Sequence, residues 1–362
     1  MKYKLHIISF LAFVISYTGC KPDPIVEPTI TQDKTPFLLD FQGLPPYDIP
    51  TDNVLTVQGV QLGRMLFYER SLSKDGSQAC VTCHVQSDGF SDKNQFSLGV
   101  EKKLGGRQAM PIFNMGYHKI GFFWDGRATT LREQSLKPIQ DALEMNETLP
   151  NVITKLSANK TYRDQFTRVF GDATITSERM SLAMEQFMMT LISGNSKYDQ
   201  VQQGKAQLTD EEARGKKLFF TEFDPTGKVK GAECFHCHAG PNFSNSEMQN
   251  NGLDTEANWT DLGRFKVTNN PTDKAKFKTP SLRNIAVTAP YMHDGRFNTL
   301  EEVIEHYNLH VKKSATLDEL MQYNIQSGGL ALSTQDKQDL IAFLKTLTDN
   351  TYLNNTAYKS PF

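Results

Sequence analysis

Two copies of one five-residue pattern, C-x-x-C-H, constrain this chain more than anything else in it. They read "CVTCH" at Cys80–His84 and "CFHCH" at Cys234–His238, and they use four of the five cysteines. The pattern is the signature of covalent haem c attachment. Two thiols add across the vinyl groups, and the adjacent histidine comes underneath to bind iron. A zinc ribbon would place its two C-x-x-C pairs about 15–20 residues apart, whereas Cys83 and Cys234 are separated by 151. A thioredoxin-like pair needs a βαβ setting, which the flanking sequence does not supply. Cys80, Cys83 and His84 are therefore expected to hold one haem, and Cys234, Cys237 and His238 a second. His236, inside the second motif, reads as a spacer.

The motifs belong to a longer repeat. "GRMLFYERSLSKDGSQACVTCH" resembles "GKKLFFTEFDPTGKVKGAECFHCH", each a helix-like G-x-x-L-F segment, a polar loop and the motif. A proline-bearing loop follows in each half, "MPIFN" or "TPSLRN". Then "WDGRATTLREQSLKP" (Trp124–Pro138) is nearly copied by "HDGRFNTLEEVIEHY" (His293–Tyr307), 169 residues later throughout. The chain reads as an internal duplication, with halves at 51–205 and 206–350 and a tail at 351–362. Helical patterns such as "SERMSLAMEQFMMTLI" dominate and alternating strand patterns are scarce. The expected fold is mostly α.

In both copies D-G-R is followed by T-x-x-E, a capping box that launches a helix. Pro138 and Tyr307 then fall at the same place in equivalent helices. If that place faces the iron opposite the proximal histidine, Tyr307 can close the sixth position of the C-terminal haem. Pro138 offers no ligand atom, so the N-terminal haem stays open. The plainer reading is a kinked helix beside a core tyrosine. An open haem needs a proton-handling group on its distal side, and Gln134 and Glu144 flank Pro138. A lone helical glutamate is otherwise a solvated surface residue. His306 and His310, four apart, read as solvated, and Met115 and His118 as packing or surface residues.

Composition excludes some partners. A formal net charge of −2 over 362 residues makes no electrostatic case for nucleic acid. No internal apolar run approaches the roughly 18 residues that span a bilayer. The N-terminus differs: Lys2 and Lys4 precede "IISFLAFVISY", which reads as a secretory signal over residues 1–19. "TGC" then suggests lipid attachment at Cys20, with ordinary signal cleavage nearby as the alternative. Seven prolines between Pro22 and Pro50 suggest an extended tether over 20–50. The expected location is the periplasm, with a membrane contact through the lipid alone.

The two C-x-x-C-H motifs, "FWDGRATTLREQSLKPIQDALEM" and "TPSLRNIAVTAPYMHDGRFNTLEE" together resemble the bacterial dihaem cytochrome c peroxidase family, which includes the MauG-type dihaem enzymes. The resemblance covers nearly everything after the tether. It implies two cytochrome-c-like domains with one haem c in each, and reduction of hydrogen peroxide to water at the N-terminal haem. Electrons would come from a small redox protein, a cytochrome c or a cupredoxin, through the C-terminal haem. The resemblance places Gln134 and Glu144 in the distal pocket and Trp124 between the haems as an electron relay. It gives the backbone carbonyls of Thr288 and Pro290 to a calcium ion, and implies a homodimer as a common assembly. Three positions depart from the pattern. Val100 stands where many members carry a removable histidine ligand, so the N-terminal haem should be open without reductive activation. Tyr307 replaces the usual methionine, which is the MauG-type feature. Gln108 takes the place of the calcium-binding asparagine. Met292, His293 and His306 are competing ligands that miss the family's position. A MauG-type enzyme oxidising a partner protein, and a plain dihaem electron-transfer cytochrome, are the alternative functions.

Overall fold

The structure, a computed structural model, describes Met1 and residues 29–362. The expected signal segment beyond Met1, Cys20 and the first part of the expected tether lie outside the described residues. Residues Thr31–Phe362 form one compact unit. Its secondary structure is helical apart from one antiparallel pair of two-residue strands, Met248–Gln249 with Phe277–Lys278. Among the described residues no helix is long and apolar enough to cross a membrane.

Two helix pairs organise the interior, and a glycine sets the closeness of each. Val57–Tyr68 crosses Ser177–Met189 at Gly63, where a Cβ would lie 2.0 Å from the Ala183 carbonyl oxygen. Asp210–Phe219 crosses Thr334–Lys345 at Gly215, where a Cβ would lie 1.8 Å from the Asp339 carbonyl oxygen. Only glycine lets the backbones approach so far. Each is the glycine of a G-x-x-L-F segment. Around them lie two apolar clusters. One gathers Leu62, Leu66, Phe67, Phe90, Phe166 and Phe187; the other gathers Phe219, Phe243, Leu340, Phe343 and Leu347.

The copied stretches take the same local form. Phe122 pairs with Ala128 and Tyr291 with Phe297 in isolated bridges, and Gly126 and Gly295 turn each loop at φ 66° and 62°. Thr130 then caps the helix Leu131–Gln140 by accepting from the Glu133 N–H at 3.1 Å. Thr299 caps Leu300–Glu305 by accepting from the Glu302 N–H at 3.2 Å.

Three expectations are corrected. From Thr31 onward the segment expected as a tether lies on the body: Asp33 N–H donates to Arg168 O and Phe37 N–H to Leu55 O. Tyr47 packs edge-on between Phe41 and Tyr117. Its prolines set extended backbone, but the aromatic residues among them give it something to bury. The segment expected as a C-terminal tail, 351–362, is likewise part of the body, because Tyr352 and Tyr358 are buried in the first cluster. Finally, the helices carrying Pro138 and Tyr307 are not equivalent. Leu131–Gln140 keeps Pro138 inside an α-helix, while the helix from Leu300 widens after Glu305 into a π-type turn, His306–His310.

Candidate haem sites and the distal pocket

Both C-x-x-C-H motifs fold into single tight turns. Cys80–Cys83 is one α turn, Cys234–His236 is a 3-10 turn, and all four thiols are unpaired and half-buried. Burial pushes the Cys80, Cys234 and Cys237 thiols up to about 12 and Cys83 to about 11. The histidines are held alike. His84 Nδ1 lies 2.8 Å from the Phe90 carbonyl oxygen, and His238 Nδ1 lies 3.1 Å from that of Phe243. A carbonyl only accepts, so each Nδ1 must carry the proton and each Nε2 is left as the bare ring nitrogen. That is the tautomer a metal-binding imidazole needs. Burial lowers both basicities, His238 to about 4, and so keeps the rings neutral.

The C-terminal site opens onto a cavity of about 230 Å³ lined by Cys234, Cys237, His238 and Tyr307 among largely apolar residues. An apolar cavity with two thiols at its edge and a bare imidazole nitrogen fits a large flat haem. Tyr307 enters this cavity from the π-type turn, a geometry that recurs at functional sites because it re-aims one side chain. Burial pushes its phenol up to about 12, against a hydrogen bond from Asn251. Asn251 Nδ2 lies 3.2 Å from Tyr307 Oη and 3.3 Å from Met292 Sδ. Among the competing ligands, Met292 thus shares the cavity with Tyr307. His293 also lines it but stacks on Phe277 at 3.6 Å. His306 is 3% exposed with Nε2 at 3.0 Å from the Asn251 carbonyl oxygen. The solvated reading holds for His310 and fails for His306, because the π-type turn rotates His306 inward.

At the N-terminal site Pro138 leaves the matching place without a ligand atom. Glu144 is not helical as expected: the helix ends at Gln140, and Glu144 sits in the turn that follows. Asp141 builds this turn, its side chain accepting from Leu143 N–H and its carbonyl from Glu144 N–H. The loop "SLGV" closes over it. Val100 N–H donates to the Glu144 carbonyl at 2.9 Å, and Gly99 comes so near that a Cβ would lie 2.2 Å from Leu143 O. Burial, then repulsion from Asp141, raises the Glu144 carboxyl from 4.5 to about 7, with Arg127 opposing. Glu144 is also close enough to perturb both Cys80 and Cys83. Gln134 is half-buried one helical turn before Pro138.

Trp124 is 8% exposed and lines the C-terminal cavity from the first half of the sequence. Its Nε1 donates to the Gln108 carbonyl at 2.8 Å, while Gln108 N–H donates to His293 O and its side-chain amide to Asp92 O. Gln108, Thr288 and Pro290 line the same cavity. His236 pairs with Glu222 at 2.9 Å rather than pointing at a thiol. Sequence reasoning missed Asn251, an isolated asparagine with no motif around it. It also missed Lys278, for which the one signal was a lysine next to the apolar "TPSL".

Residues 57–207 match the family described as di-haem cytochrome c peroxidase. The chain is 36% identical over 300 residues to the methylamine utilization protein MauG of Methylophilus methylotrophus, covering 82% of this chain and 84% of that protein. It is 34% identical over 292 residues to the cytochrome c551 peroxidase of Nitrosomonas europaea, covering 80% and 79%. Among solved structures, a MauG-like protein associated with microbial copper homeostasis superimposes with a TM-score of 0.80 at 33% identity, over 88% of this chain and 97% of that one.

Proposed function

We propose, from the premise that this chain belongs to the di-haem cytochrome c peroxidase family, that it reduces hydrogen peroxide to water at an N-terminal haem. Its membership makes it a haem peroxidase, an oxidoreductase with haem c cofactors. The finer assignment puts one haem c on Cys80, Cys83 and His84 and the other on Cys234, Cys237 and His238, in two duplicated domains at 51–205 and 206–350. The single observation that carries it is the asymmetry between positions matched in the sequence: Tyr307 lines the same cavity as His238, and Pro138 offers no ligand atom in the other half.

The haem supplies the iron that binds peroxide and accepts its oxidising equivalents. The chain's own residues do the rest. Glu144, whose carboxyl is raised to about 7, takes a proton from one peroxide oxygen and returns it to the other. Gln134 orients the substrate by hydrogen bonding. The "SLGV" loop shields the Glu144 turn, and Val100 brings no nitrogen that would occupy the site. Trp124 relays electrons between the halves, held rigid by Gln108. A small cytochrome c or cupredoxin is the proposed donor, and the export and lipid anchoring read from residues 1–20 place the enzyme in the periplasm. Calcium on the Thr288 and Pro290 carbonyls, with Gln108 in place of an asparagine, and a homodimer complete the proposal.

The second reading, oxidation of a partner protein as in MauG-type enzymes, is favoured by one observation, the tyrosine at 307. Peroxide turnover with a reduced small cytochrome, run beside carbon monoxide binding, tests the proposal. One carbon monoxide per two haems and steady turnover are expected. Binding to neither haem would leave an electron-transfer cytochrome. Binding without turnover, together with an oxidised partner protein, would favour the second reading.

A further inference from the structure

Lys278 is an ionisable group that neither the haem sites nor the distal pocket uses. It is 2% exposed and lies on the short strand Phe277–Lys278 beside the C-terminal cavity, which it helps to line. Its backbone N–H donates to the Trp124 carbonyl at 2.7 Å. Its Nζ meets His118 Nδ1 at 2.9 Å and the Gly121 carbonyl at 3.0 Å, and lies 5.6 Å from the centre of the Phe122 ring. His118 stacks on that same ring. The surroundings give this amine two neutral acceptors and an aromatic face, and no carboxylate within ion-pair distance among the described residues.

The charged groups facing it come from each neighbouring element. Asp125 acts from a distance, but its carboxylate is already taken by Arg107 at 2.7 Å and Arg127 at 3.2 Å. Arg264 binds the Asp125 and Gly126 carbonyls. His118 is the remaining titratable group. Burial pushes the Lys278 ammonium down to about 7, with Asp125 opposing. Burial, then the Lys278 charge, holds His118 well below the ordinary imidazole value. The pair therefore carries one exchangeable proton near neutral pH, on Lys278.

We propose that Lys278, with His118 as its hydrogen-bond acceptor, is a proton-binding site coupled to electron arrival at the C-terminal haem. An electron placed in an apolar cavity beside Trp124 is costly unless a positive charge appears nearby. A buried amine without a fixed carboxylate partner supplies that charge by taking up a proton. The step balances: one electron enters from the donor protein, one proton from water forms an N–H bond on the neutral Lys278 amine, and nothing leaves. Below about pH 7 the amine is protonated in both redox states and the potential does not depend on pH. Above that, proton uptake accompanies reduction and the potential falls as pH rises. This rests on the proposed haem at Cys234 and Cys237.

The test is a spectroelectrochemical titration of the full haem-loaded chain between pH 5.5 and 9, after mass spectrometry has counted the haems. The wild type should show a C-terminal potential that falls above neutrality with a slope approaching the one-electron, one-proton limit of about 59 mV per tenfold change in proton activity. Lys278→Met should remove most of that slope with haem content unchanged. His118→Leu removes an acceptor of the ammonium, so the sloping window should move to lower pH; it serves if Lys278→Met fails to fold. A flat wild-type potential, or slopes and windows that neither variant moves, would overturn the proposal. A chain with no haem on Cys234 and Cys237 would remove the functional reading and this inference together.

Discussion

Glu144→Gln isolates the acid from the shape of the distal pocket. The glutamine keeps the side chain's size in the turn that Asp141 builds and the "SLGV" loop covers. What disappears is a carboxyl raised to about 7 by burial and by Asp141. A group with that value is half ionised at neutral pH, so it accepts a proton and returns it with little cost in either direction. Loss of such a proton carrier lowers the rate by roughly 10²-fold or more, equivalent to about 2.7 kcal/mol in the barrier. Steady-state peroxide consumption with a reduced small cytochrome, measured from pH 5 to 9, gives two readouts. In the wild type kcat/KM should rise with pH through about 7 as the carboxylate forms, and in the variant that limb should vanish. Stability carries a matching signature. The folded carboxyl titrates at about 7 and the unfolded one near 4.5, so between these values the folded chain holds the extra proton. Wild-type stability should therefore fall as pH rises from 4.5 to 7, by about 3 kcal/mol, and level off above 7. The variant should lose that slope. Turnover within threefold of wild type, with the acid limb intact and haem content equal, would refute the role of Glu144.

Three further outcomes follow from the same structure. Denaturing mass spectrometry of the protein made in a host that attaches haem c should show the polypeptide plus two haems, and Cys83→Ala with Cys80→Ala should remove one of them. Gly215→Ala places a Cβ 1.8 Å from the Asp339 carbonyl and should cost about 3 kcal/mol or more, read as a fall in denaturant midpoint. Gly106→Ala meets nothing within 4 Å and should leave the midpoint unmoved. Tyr307→Met should raise the C-terminal haem potential and introduce the near-infrared band of methionine-ligated ferric haem; a wild type that already shows the band would exclude Tyr307 as the ligand.

The parts legible in the sequence are those fixed by local chemistry. The Thr130 and Thr299 caps depend on a few neighbouring residues, and each appears where the sequence places it; the glycine crossings, which join Gly63 to Ala183 and Gly215 to Asp339, were not legible there. The misread parts depend on distant ones. Nothing within the helix of Tyr307 announces a π-type turn, because the turn is completed by His306 reaching the Asn251 carbonyl 55 residues away. Glu144 read as part of the helix that Thr130 launches, but that helix stops at Gln140. The helix ends there because the Asp141 side chain and carbonyl capture the next N–H groups. The expected tether contains too many prolines for helix, but proline content says nothing about whether Phe41 and Tyr47 find a surface.

The choice of ligand in the C-terminal cavity does not reduce to which residue happens to be present. Methionine is not missing there: Met292 Sδ and Tyr307 Oη both lie within 3.3 Å of the same Asn251 amide. The amide distinguishes them, since a hydrogen bond to an anionic oxygen is about twice as strong as one to a neutral acceptor and a thioether sulfur is a weak acceptor. Asn251 therefore favours the ionised phenol. Its carbonyl meanwhile anchors His306, the residue that opens the π-type turn and so carries Tyr307 into reach. One side chain and its own backbone thus bias both the charge and the position of the proposed ligand. If Tyr307 is the ligand, as proposed, Asn251 supports it through both its amide and its carbonyl.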